Sequence, residues 1–231
     1  MKRHLLTAIA CSSAVLATVA VASPALAATP APRDLATIQA AGQAATSSRI
    51  TALGKAIPRV TANKYLSSGD RSQLLGTLNG DLAAMQSLQA KIAADTDVAT
   101  AKTDVQSIFT GYRVYAVAIP QSLYAASADA LTDSALPALV TAQKALAAAL
   151  AGPDKSKYTP AIDAQMADLS TQITTAQNSI AGVSAFALSV TPAEFNANHA
   201  VLANTRASVK TAGVAAKAAS ADAKAVRAAL K

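Results

Sequence analysis

Apolar residues recur along this chain in alternating steps of three and four. Leu75, Leu78, Leu82, Met85 and Ile92 follow that rhythm; Val98, Ala101, Val105, Ile108, Tyr112, Tyr115 and Ile119 repeat it, as do Ile162, Met166, Leu169, Ile173, Ala176 and Ile180. Towards the C-terminus Phe195, Leu202, Val209, Ala216, Ala223 and Leu230 return every seventh residue. Such spacing places each set on one side of a helix, as in a coiled-coil seam. The start is less regular. Leu35, Ile38 and Gly42 change phase before Ile50, Leu53, Ile57 and Val60, and Pro58 predicts a kink.

Helix starts are marked between these runs. Thr29-Pro30-Ala31, Thr159-Pro160-Ala161 and Thr191-Pro192-Ala193 each offer a capping hydroxyl followed by proline at the first helical position, where a missing N–H costs nothing. Glu194 turns the third into a capping box. Ser67-Ser68-Gly69-Asp70 and Asp95-Thr96-Asp97 read as two more starts, and residues 151–158 as a loop. The pattern predicts helices over about 33–65, 68–93, 97–131, 134–150, 160–189 and 192–230, with Thr132, Asp133, Ser134 and Pro137 dividing the third from the fourth. The predicted fold is all-α: an elongated antiparallel bundle, two three-helix bundles in tandem over 28–131 and 132–231. One compact bundle of long helices is the alternative.

Composition supports the helical reading. About a quarter of the chain is alanine, the best helix former, and Glu194 is the single glutamate. The first 27 residues read as a secretory signal peptide: Lys2 and Arg3, an apolar run from Leu5 to Val21, then Ala25-Leu26-Ala27 as the cleavage site. Cleavage there would take the only cysteine, Cys11, with it. No second long apolar run is expected, hence no transmembrane segment in the mature chain. The formal charge of +7 would fall to +5 on loss of Lys2 and Arg3, a modest excess that favours anionic surfaces.

Candidate chemistry is sparse. A di-iron bundle requires several inward glutamates paired with histidines, covalent haem requires a Cys-x-x-Cys-His run, and zinc takes several His or Cys ligands. None of these sets is present, so no catalytic residue, metal or cofactor is expected, and the protein reads as non-enzymatic. His199, beside Phe195, reads as structural. Two polar features stand out. Lys210, Lys217, Lys224 and Lys231 recur every seven residues with Arg206 and Arg227 nearby, a candidate polyanion contact on the last helix. No aromatic is interleaved with them, so base stacking with nucleic acid is not indicated. Four of the eight aromatics fall between Phe109 and Tyr124 around Arg113. They read as bulk for a thin alanine-lined core, with a ligand platform of Tyr112, Arg113 and Tyr115 as the alternative.

Two segments, KIAADTDVATAKTDVQSIFTGYRVYAVAIPQ and NANHAVLANTRASVKTAGVAAKAASADAKAVRAALK, carry a resemblance. They resemble alanine-rich secreted helical proteins of high-GC Gram-positive bacteria (actinobacteria), over most of residues 45–125 and 191–231, the YRVY run at Tyr112–Tyr115 being the most specific piece. Residues 132–158 match less well. The resemblance implies export and a helical fold and brings no catalytic residues. The expected role is structural or interactive, secreted or at the cell envelope, with an anionic cell-wall polymer or another helical protein as partner.

Overall fold

A computed structural model describes residues 34–231 of the protein. The signal-peptide reading of residues 1–27 and the helix start at Thr29-Pro30-Ala31 lie outside the described residues. Asp34–Lys231 is one compact unit. Among the described residues the regular structure is helical throughout, with no strand. The α-helices are α1 (Leu35–Ala62), α2 (Ser68–Ala94), α3 (Val98–Ser107), α4 (Ile119–Asp129), α5 (Leu136–Ala151), α6 (Pro160–Ile180), α7 (Val183–Ser189), α8 (Pro192–Ala197) and α9 (Ala203–Ala229).

Local chemistry sets their starts. Asp34, Ser67, Asp97 and Thr159 each accept a hydrogen bond from the backbone N–H three residues on, capping α1, α2, α3 and α6. Thr191 and Glu194 close the reciprocal capping box of α8. α1 and α2 run antiparallel. The Gln39 amide reaches the carbonyls of Ile92 and Asp95, and the Gln43 amide that of Gln89.

The sequence pattern and the structure differ in three places. No break separates 131 from 134: Val98–Ala151 is one helical run interrupted only at Arg113. Wider π-type turns at Ile108–Tyr112, Val114–Ala118 and Ala130–Ala135 precede Pro120 and Pro137. A π turn takes one extra residue, which gives the proline ring room in a ladder it would otherwise interrupt. The run predicted over 160–189 is divided at Gly182, which adopts a left-handed conformation (φ 70°) after α6. The run predicted over 192–230 is divided by extended backbone at Asn198, whose side chain accepts the Ala200 N–H in a local turn.

Four clusters of buried apolar side chains lie along the Val98–Ala151 run. The first joins α1 and α2 to it through Leu53, Leu78, Met85, Ile92, Ile108 and Val114. The second and third join α6 and α9 to it, with Leu136, Leu146 and Leu150 meeting Leu169, Ile173, Ala216 and Ala223. The small fourth holds Val117, Val190 and Leu202. The α6–α9 seam is lined on the α9 side by Ala212, Ala215, Ala216, Ala219 and Ala223, and small residues let two backbones approach closely.

Two further expectations change. The stripe of α1 does not shift phase: Ile38, Gly42, Thr46, Arg49, Leu53, Ala56 and Val60 are buried in one continuous register, two polar residues having disguised it. A second long apolar stretch does exist. Val98–Ala151 is long and apolar enough to cross a membrane, with a mean hydropathy of 1.3 over eighteen residues of which 17% are buried. Alanine adds to that value beside leucine and valine while contributing little area to bury.

Candidate functional site

The cationic face of the last helix is built from a sequence that assigns stability and charge to different sides. Alanine at 212, 215, 216, 219 and 223, with Val226, fills the side turned to α6 and α5. Arg206, Lys210, Lys217, Lys224 and Arg227 are all exposed, as is Lys231 just past the helix end. At 3.6 residues per turn the first five fall within an arc of about 100°, over a length of about 32 Å. Asp222, the only acid after Glu194, lies well outside that arc and is half-buried. Neither ion pair among the described residues, Lys91–Asp104 at 2.8 Å and Lys157–Asp154 at 3.3 Å, uses a cation of this face.

The charge of the described unit is concentrated here. Residues 203–231 carry six lysines and arginines against one aspartate, whereas residues 34–202 carry eleven against twelve acidic residues. The rest of the unit is therefore close to neutral and slightly acidic. One helix face supplies its whole positive excess, which is the electrostatic footprint of a surface for anions.

The aromatic segment is arranged otherwise than the sequence predicts. Tyr112 packs against the first core and Tyr124 against the fourth, both half-buried, but Phe109 and Tyr115 are 43% and 49% exposed. The stripe through Ile108 and Tyr112 loses its phase at Arg113, the one non-glycine residue of positive φ among those described (φ 48°, ψ 37°), set between two π turns. Beyond it Val114, Val117 and Ala118 take the buried positions, and Tyr115 faces outward.

Tyr112, Arg113 and Tyr115 accordingly serve three different neighbours. The Arg113 Nε–H donates to Asn196 Oδ1 at 2.7 Å, its guanidinium lies 5.3 Å from the Phe195 ring, and Asn196 returns its amide to the Thr110 carbonyl at 2.8 Å. This clasp ties α8 to the strained residue. The exposed His199 meets Phe195 edge-on at 5.1 Å. Phe195 therefore leaves the α9 seam and packs under Arg113.

The cation that Tyr115 does meet is Arg49 of α1, which lies far from it along the chain and which no local pattern links to it. The Arg49 guanidinium lies 4.6 Å from the Phe109 ring and 5.0 Å from that of Tyr115. It donates to the Ala45 carbonyl at 2.9 Å, while Nε has no partner among the described residues. Burial presses the Arg49 pKa down from its ordinary value, yet an arginine keeps its charge. One signal could have found it: an arginine at a stripe position of α1. The Tyr115 hydroxyl donates to the Ser48 carbonyl at 2.9 Å, and a shallow groove of about 490 Å³ runs beside the ring, lined by Ser47, Ser48, Thr51, Ala52, Lys55 and Tyr115.

Among the described residues no group of three or more histidine, cysteine, aspartate or glutamate side chains is placed to hold a metal ion. No protein-family model, curated protein or solved structure matches the chain.

Proposed function

We propose that this is a non-enzymatic helical protein of the exported or envelope compartment, and that the outer face of α9 holds an anionic polymer such as one of the cell wall. The partition of charge carries the reading: six exposed cations on one face, paired with no acid among the described residues, on a unit otherwise near neutrality. A solvated face that merely kept the helix in water would have no need to exclude acids, and interspersed Asp and Lys would serve equally well. Spacing supports a linear partner. Lysines seven residues apart stand about 10 Å from one another along the helix axis, so an extended chain of anions would meet them in succession, releasing counterions as it binds.

The test is retention of the protein on purified cell wall, and on immobilised polyphosphate, across a salt series. Retention should fall linearly on a log–log plot. In the triple variant Lys210→Gln, Lys217→Gln, Lys224→Gln the slope should drop by about 2, at roughly 0.7 for each anionic group no longer neutralised. Glutamine matches lysine in helix propensity, so circular dichroism should be unchanged. Retention that ignores salt, or that the triple variant leaves intact, would refute the proposal.

A further inference from the structure

We infer a second binding site, for a sugar bearing a carboxylate, in the groove between Tyr115 and the outer face of α1. It shares no residue with the α9 face and does not rest on that reading. Three independent observations meet there.

The first is backbone strain. A non-glycine residue in the left-handed region is costly and persists only where its surroundings hold it. Arg113 is held by Asn196 and Phe195, and the distortion sets Phe109 and Tyr115, six residues apart, against the same guanidinium. Residues six apart in a regular helix lie on different faces. The second is the inverted exposure of the cluster, in which the charged side chain is buried and the rings are open to solvent. A chain with three phenylalanines, five tyrosines and no tryptophan thus places two of its rings half-exposed at one spot. The third is the groove. Ser48, Thr51 and Lys55 follow helical spacing on one face of α1, with the Tyr115 ring as wall. Thr46 and Thr61 of the same helix turn their hydroxyls back onto the carbonyls of Gly42 and Ile57, whereas Ser48 and Thr51 are exposed residues that line the opening.

Each element points to one ligand chemistry. The hydrogen bond from the Tyr115 hydroxyl to the Ser48 carbonyl fixes the ring plane, giving a flat apolar platform for the C–H face of a pyranose. Row hydroxyls pair with sugar hydroxyls. Lys55 belongs to neither ion pair among the described residues and is free to meet a carboxylate. Arg49 beneath the rings draws on their π density, which disfavours a cationic ligand of the kind that aromatic cages take. The groove is shallow, so a bound sugar would keep one face in solvent.

The experiment titrates the full chain with D-glucuronate, D-glucose and choline, followed by heteronuclear NMR and tyrosine fluorescence. Glucuronate should give saturable shifts confined to α1 and the segment around Tyr115, glucose should bind about fivefold more weakly, and choline should give none. Lys55→Gln should remove the preference for glucuronate, the factor of about five being what an exposed ion pair supplies. Tyr115→Ala should abolish both responses, and Thr51→Val, which leaves the cluster intact, should weaken both. The site is refuted by absence of saturable glucuronate binding in the folded wild type, by binding that survives Tyr115→Ala or Lys55→Gln unchanged, or by choline binding as tightly as glucuronate.

Discussion

Replacing glycine by alanine should have opposite signs at two helical positions of this protein. Gly42 of α1 lies where α2 and α3 converge. A methyl group built on it would stand 2.7 Å from Val105 Cγ2 and 2.9 Å from Ile92 Cγ2, well inside the separation of about 3.5–4.0 Å at which carbons attract. Both obstructing atoms are branches on Cβ, the stiffest part of a side chain, so relief requires the helices to part. Overpacking of this kind costs about 1–3 kcal/mol. The gain in helix propensity, about 0.8–1.0 kcal/mol, offsets only part of it, and Gly42→Ala should destabilise by about 1 kcal/mol. Gly80 on the exposed side of α2 has no atom within 4 Å of a built Cβ. There the propensity gain stands alone, and Gly80→Ala should stabilise by about 0.8–1.0 kcal/mol. Urea unfolding followed by circular dichroism measures both, and the difference between the two variants isolates the steric cost. In thermal unfolding each kcal/mol should move the midpoint by about 2–4 °C for a unit of this size. If Gly42→Ala stabilises as much as Gly80→Ala, then α1, α2 and α3 do not meet as described.

Two other positions give sharp expectations. Burial lifts the half-buried Asp81 carboxyl to about 6. Between about pH 4 and pH 6 the folded chain therefore holds this proton when the unfolded chain has released it, and stability from this group falls as pH rises through that window. Asp81→Asn should leave stability near pH 3 unchanged and raise it at pH 7, by about 1 kcal/mol after allowance for solvent screening; urea midpoints at the two pH values check it, and equal effects at both would count against the assignment. Gln121, buried on α4, donates to the carbonyls of Ala187 and Val190 at 2.8 and 2.6 Å. Gln121→Leu leaves those carbonyls without their donor and should cost about 2 kcal/mol, with hydrogen exchange accelerated in α7; protection there equal to wild type would show that α7 is held by something else.

The legible parts of this fold are those governed by local chemistry. Caps at Ser67, Asp97, Thr159 and Thr191 could be read directly because a hydroxyl or carboxylate three residues ahead of an N–H bonds it whatever the rest of the chain does. The seams of α2 and α6 were legible because Leu78, Met85, Ile92, Leu169 and Ile173 are bulky and evenly spaced. The α1 register was obscured by Thr46 and Arg49, polar residues at buried stripe positions. Thr46 satisfies its hydroxyl on Gly42, and Arg49 is covered by rings from residues 109 and 115. Pro137 looked like part of a break because a proline removes one ladder bond, whereas the π turn before it absorbs the disturbance. The candidate sites divide the same way. Lysines on a seven-residue repeat stay on one face of any straight helix, so their exposure was readable. The partner of Tyr115 was not, because the left-handed turn at Arg113 is imposed from α8 through Asn196.

Alanine is what allows the two halves of α9 to be judged separately. A seam of Ala212, Ala215, Ala216, Ala219 and Ala223 buries little area per residue, so this helix is held by the length over which it lies against α6 rather than by any single side chain. Among the described residues the cations on its other face make no side-chain hydrogen bond or ion pair, and the bond near the helix end, from Lys157 of the loop after α5 to the Leu230 carbonyl, uses none of them. Changing Lys210, Lys217 and Lys224 to glutamine therefore removes three charges without touching the surface that keeps α9 in place. Loss of polymer retention in that variant could not be ascribed to a loosened bundle, since melting temperature and retention depend on opposite sides of the same helix. A fall in both together would mean that the lysines act through the fold, and that the seam and the charged face are not independent.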